Sequence, residues 1–190
     1  MRMRKLKALF IAAGILACGL VATHGAYAGE GDAAKLLAVL PNAKLSLADG
    51  IKQATKGEEV PISGKFELDD NGKLSLSVYT AEKGLSVLPE KNVLKELAGS
   101  PEQAWTPETE VFKDVEHVAR SSQHLVLNAL SQQSLLAVVE DASKHATGIV
   151  YSINPTLHGR KALFEVLVAN KDKVSKLTYD IPSGKFLGKK

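Results

Sequence analysis

Apolar residues recur along this chain in two rhythms, and the switches between them outline its elements. After Ser46, residues Leu47, Ile51 and Ala54 share one helical face. Asp49 stands three residues past Ser46, a capping-box spacing with Asp in place of Glu. Gly57 is the stop, with Lys52 and Lys56 near the negative C-terminal end. The same pattern returns after Ser134, with Leu135, Val138, Val139 and Ala142 as the stripe and Gly148 as the close. The second rhythm is alternation. Residues 60–68 read as a strand with Pro61 at its start. Asp70-Asn71-Gly72 then gives a tight hairpin turn, and Leu74, Leu76 and Val78 alternate with Ser75, Ser77 and Tyr79. Farther on, Ile149, Tyr151 and Ile153 alternate. A turn over 154–159 leads to a strand at 162–169, and a second turn near 170–172 leads to another at 174–179. Residues 181–190 read as a Pro/Gly/Lys-rich tail.

The two helix-then-strand stretches superpose with an offset of 88 and no gap. Ser46-Leu47 falls on Ser134-Leu135, Ile51 on Val139, Ala54 on Ala142, and Leu76-Ser77-Val78 on Phe164-Glu165-Val166. Between them Pro89, Gly99, Pro101 and Pro107 punctuate a stretch without alternation. It predicts a short helix over 92–98 and a helical run from Pro107, with Val111, Val115 and Val118 on one face. That run is expected to bend near Ser121-Ser122 and lead into the second repeat's helix. An amphipathic helix at 31–40, carrying Ala34, Leu37 and Ala38, opens the folded part. The plan is therefore residues 1–28 as a leader, 29–83 as a helix and first unit, 84–130 as a linker with helices, and 131–190 as the second unit.

The second unit resembles a PepSY domain. The resemblance rests on Ser134-Leu135 opening a helix, Gly148 closing it, three strands, and Tyr179-Asp180 followed by Ser183-Gly184-Lys185-Phe186-Leu187. It covers about 131–188, and more weakly about 44–82, where Leu85 to Glu90 stand in place of the closing Asp-turn-Gly-Lys. The resemblance implies an α+β fold of two tandem PepSY-like units, each a helix packed on a small antiparallel sheet, joined by a helical, Pro-rich linker. It also implies a secreted, periplasmic or membrane-attached protein that is not an enzyme, and a role restraining peptidases in the cell envelope. It carries no catalytic residue onto this sequence.

The N-terminus supports an exported protein. Arg2, Arg4, Lys5 and Lys7 precede an apolar run from Ala8 to Ala22, and Ala26-Tyr27-Ala28 supplies small residues at the cleavage positions. That run, about 15 residues, is shorter than the roughly 20 a membrane helix needs. Two rival readings are a lipoprotein box at Cys18, with Leu16 bulky where that box takes a smaller residue, and an uncleaved anchor. Cleavage after Ala28 leaves 20 basic residues against 21 acidic ones and removes the one cysteine. The concentrated positive field that nucleic-acid binding requires goes with the leader. Stable membrane insertion is not expected after cleavage.

Candidate chemistry is sparse, and no catalytic residue or cofactor is predicted. His117 and His124 are the weak metal candidates. Seven residues apart on one helix, they lie about 10.5 Å apart along the axis, too far to share an ion without a bend, and two surface histidines on a polar face is the simpler reading. His145 lies near a helix C-terminus, where positive charge is favoured, and His158 reads as a turn residue. Asp69-Asp70-Asn71-Gly72 resembles the start of a calcium loop, but Thr80 stands where its twelfth, acidic position would be. No nucleophile elbow or phosphate loop occurs. Trp105, in the Pro-rich connection, is either a plug pinning that loop to a core or an exposed partner anchor. Tyr79, on the polar face of its strand, admits the same two readings. The expectation is a non-enzymatic envelope protein with a protein or peptide partner; the alternative is a periplasmic small-molecule or metal-ion binder.

Overall fold

Ser46 and Ser134 each turn a side-chain oxygen to the third backbone amide of a helix, at Asp49 and Ala137 respectively. These two helices, 88 residues apart, are the second and fourth in the computed structural model, which describes residues 30–190. The leader, Cys18 and His24 lie outside the described residues. In chain order the elements are α1 (Glu30–Val39), α2 (Leu47–Ala54), β1 (Val60–Leu68), β2 (Leu74–Ala81), β3 (Leu94–Gly99), β4 (Glu108–Val111), α3 (Val115–Ala129), α4 (Leu135–Ala142), β5 (Ile149–His158), β6 (Lys161–Asn170), β7 (Lys173–Asp180) and β8 (Phe186–Lys189).

All eight strands belong to one antiparallel sheet in the order β4-β3-β2-β1-β5-β6-β7-β8. This overturns the expected fold of two helix-on-small-sheet units joined by a linker. The halves meet at the centre, where β1 pairs with β5 through Gly64↔Ile153 and Lys65↔Ser152. The physical reason is edge satisfaction. Each half would otherwise expose β1 or β5 as an unpaired edge, and fusing those edges leaves only the short strands β4 and β8 outermost. The 84–130 stretch is not a linker either, since it supplies β3, β4 and α3. The helix expected at 92–98 is strand β3, because Leu94 to Gly99 find ladder partners from Ala81 to Leu76. The run from Pro107 is first a strand, β4. Helix α3 starts only at Asp114, whose carboxylate caps the His117 amide, and α4 is a separate helix. The turn expected over 154–159 narrows to 159–160, with Gly159 at φ +62°, and the tail at 181–190 contains β8.

One sheet face carries the larger core. Phe66, Leu76, Val78, Ile153, Phe164, Val166 and Leu177 point to it and are covered by Leu47, Ile51, Val138 and Val139 of α2 and α4. On the opposite face a smaller cluster of Ile62, Ala81, Leu94 and Phe112 is covered by Leu125 of α3. The start of β1 lies beyond its two-residue pairing with β5, so its polar groups need other partners. Helix α3 supplies them: Asn128 Nδ2 donates to the Ile62 carbonyl at 2.8 Å, and His124 Nδ1 lies 3.0 Å from Ser63 Oγ.

Candidate functional site

Helix α3 packs on β1, β3 and β5, so it shelters only one half of the second sheet face. On that face the β6–β8 region has no helix packed extensively against it among the described residues. Register decides what is displayed there. Asn154 pairs with Glu165, and Glu165 with Thr178, so these side chains share the open face, along with Lys176 opposite Leu167. Between them lies a shallow groove of about 300 Å³, lined by His158, Leu163, Glu165, Lys176, Thr178 and Leu187, with Gly188, Lys189 and Lys190 along its β8 side.

Glu165 is the electrostatic centre of the groove. His158 Nε2 and Lys176 Nζ each lie 3.0 Å from its Oε1. Its side chain is 17% exposed, against 56% for His158 and 34% for Lys176, so the carboxylate is held in the floor with these two side chains around it. Leu163 is buried beneath, while Val174 and Leu187 are exposed large apolar residues on the same half. A peptide-sized surface of mixed apolar and charged character results. A second hollow, of about 290 Å³, lies between the β3–β4 end and α3, lined by Pro89, Asn92, Val93, Val111, Phe112 and Val118.

The residues singled out in the sequence lie elsewhere and are not brought together. His117 is half-exposed at the start of α3. Its Nδ1 pairs with Asp114 at 2.9 Å, and its ring stacks on Phe112 with centroids 5.0 Å apart. The backbone amide and ring of His117 hold the Asp114 carboxyl below its usual range. His124 is not a surface residue: it is buried against Ser63, and burial, then the Arg120 charge, lowers its pKa from 6.5 to about 4. One histidine is tied to a helix cap and the other to a strand, and no group of three or more His, Cys, Asp or Glu is placed to hold a metal among the described residues. Trp105 is the plug, not an exposed anchor. It is buried in the larger core beside Gly99, and the neighbouring Pro101 carbonyl accepts the Lys44 and Leu45 amides. Tyr79 is largely covered. Its ring lies 5.9 Å from that of Phe112, Lys65 Nζ sits 5.8 Å from its centroid, and Glu96 is its partner across the β2–β3 ladder. Burial, then the Glu67 and Glu96 charges, pushes its pKa up. His145 packs rather than simply capping: it stacks on Phe186 at 3.7 Å and its Nε2 meets Asp141 at 3.0 Å. Asp69 accepts the Asn71 and Lys73 amides and so builds the β1–β2 turn.

Of the groove residues, sequence reasoning took up only His158, read as a turn residue and found instead at the end of β5. Glu165 interrupting the apolar run of β6 was the available signal, a lone acid at a position that alternation assigns to the wet face.

No helix among the described residues is long and apolar enough to cross a membrane. No family model matches the chain, and no curated protein matches it. Among solved structures it is similar to a candidate lipoprotein from Clostridium difficile 630, with 15% identity over 78% of this chain and 93% of that one, at a TM-score of 0.39. At that score the likeness carries no conclusion about fold or function.

Proposed function

We propose that the chain is an exported, PepSY-like envelope protein that binds a protein or peptide partner rather than transforming a substrate, and that it acts on an envelope peptidase or its substrate. The observation that carries this reading is the uncovered β6–β8 face. There Leu187 and Val174 are exposed beside a fixed His158–Glu165–Lys176 cluster. An apolar patch rimmed by charges suits a partner surface. The leader read at 1–28 supports a location outside the cytoplasm, and the motifs ending at Leu187 supply the family resemblance.

Site-specific photo-crosslinking tests it. A photoreactive residue at Thr178, on the open face, is expected to give a discrete adduct in envelope preparations. The same residue at Lys56, just after α2, is expected to give none. Equal adducts from both positions, or none from Thr178, would count against the reading.

A further inference from the structure

The two ends of the sheet carry opposite charge. Residues 60–112, which contain β1 to β4, hold nine acids and five bases, whereas residues 149–190, which contain β5 to β8, hold eight bases and three acids. Of those three acids, Glu165 is already paired with Lys176, and Asp180 is engaged by the Ser183 amide and hydroxyl. The groove therefore presents a positive field around a neutralised floor, with Lys189 and Lys190 on its β8 wall.

The backbone of β8 adds a second feature. Lys190 exchanges both its amide and its carbonyl with Lys176, each at 2.9 Å. In an antiparallel ladder the bonding residues alternate. Lys189, opposite Leu177, therefore turns its own N–H and C=O away from β7 toward the open edge. As the outermost strand, β8 offers main-chain groups, and its lysines set the charge of whatever pairs there.

Resting on the binding role proposed above, we infer that the partner contributes an acidic, extended segment that adds to the free edge of β8, with its carboxylates on the open face that carries Lys190 and within the field of Lys189, which the alternation of the strand turns to the other face. Main-chain bonds then give affinity and the lysines select for acid, which is the division of labour in strand addition generally. A second β8 would meet it lysine to lysine and is disfavoured.

The test uses the purified protein and a fluorescent octapeptide of alternating Glu and Val, read by anisotropy. The inference expects saturable binding that weakens at least tenfold from 50 to 500 mM salt, a Lys-for-Glu version at least tenfold weaker, and a loss of similar size when alternate peptide amides are N-methylated. K189E/K190E, checked for an unchanged circular dichroism spectrum, is expected to bind the acidic peptide at least tenfold more weakly and to gain affinity for the Lys version. That gain is a readout that misfolding cannot mimic. Equal binding of the N-methylated peptide overturns edge addition, and equal binding of the Lys version overturns the charge selection. Binding to phosphatidylglycerol vesicles without binding to the peptide, or salt-reversible self-association through the acidic β4 end in its place, also overturns the inference. If the Thr178 adduct forms and the peptide does not bind, the inference fails and the binding face stands; if both fail, the binding role fails too.

Discussion

Gly64 of β1 lies opposite Ile153 of β5, and the adjacent pair, Lys65 and Ser152, is its image under the 88-residue repeat. Each member of one pair falls on the partner in the other, so the joint between the halves is self-complementary, like a two-fold interface within one chain. It is also crowded. A Cβ at position 64 would stand 3.2 Å from Leu47 Cδ1 and 3.4 Å from the Ser77 carbonyl. Gly64→Val should therefore press α2 away from the sheet and cost about 1–3 kcal/mol, read as a lower urea midpoint. An unchanged midpoint would show that the joint is looser than described.

Gly148 meets a harder constraint. It holds φ +140°, and a side chain there would run into the Ala169 carbonyl, which is backbone and cannot rotate aside. Gly148→Ala should cost about 2–3 kcal/mol. Gly72→Ala is the matched control: φ is again positive, at +73°, but nothing lies near the new methyl. It should cost only about 1 kcal/mol. Thermal denaturation of the two variants checks the order.

His124 makes stability pH-dependent. Its pKa is lowered to about 4 in the folded chain, with burial the first cause, from an ordinary value of 6.5. Between those values the unfolded chain binds the extra proton, so stability falls as pH drops from about 6.5 toward 4 and is intact above that window. The loss amounts to roughly 3 kcal/mol at the low end. Arg120 adds to the effect, and Ser63 Oγ is the polar neighbour supplied by β1. His124→Gln should flatten this slope in urea titrations run from pH 7 to pH 4.5. A slope equal to that of the parent would remove His124 as its source.

Trp105 separates packing from hydrogen bonding. The ring is 7% exposed and its Nε1 has no hydrogen-bond partner among the described residues. Trp105→Ala should cost about 3–5 kcal/mol through the cavity it leaves. Trp105→Phe gives up no hydrogen bond and should cost less than about 1.5 kcal/mol. Comparable losses in the two variants would mean that the indole N–H matters.

The local elements were largely legible and their assembly was not. Ser46 and Ser134 cap the helices they were expected to cap, and Asp69 to Gly72 turn the first hairpin, because each signal lies within a few residues of the structure it sets. Strand β3 was misread because Leu94 and Leu97 stand at helical spacing, and only pairing with β2, more than ten residues back, decides the matter. The fusion of the halves had no local signal, since it rests on two residue pairs some ninety residues apart in sequence. His124 looked superficial among Ser121, Ser122 and Gln123; what buries it is the start of β1, distant in the chain. The groove escaped notice for the same reason. Its walls come from four strands, and it exists only because α3 covers the other half of that face.

Strands β1 and β5 join the two halves into one sheet, which places α3 over one side and leaves β6–β8 open. From Gly29 onward the chain has no cysteine, so an engineered pair is unambiguous. Lys65 and Ser152 lie directly opposite each other, and residues so placed have Cβ atoms about 4.5–5.5 Å apart, close enough for a disulfide after slight adjustment. Lys65→Cys/Ser152→Cys should oxidise readily to an intramolecular disulfide, seen as a loss of about 2 Da by mass spectrometry (two hydrogens, one per thiol), in folded protein with an unchanged circular dichroism spectrum. Free thiols that persist in the folded, oxidised protein would mean two separate sheets and would contradict the β1–β5 pairing.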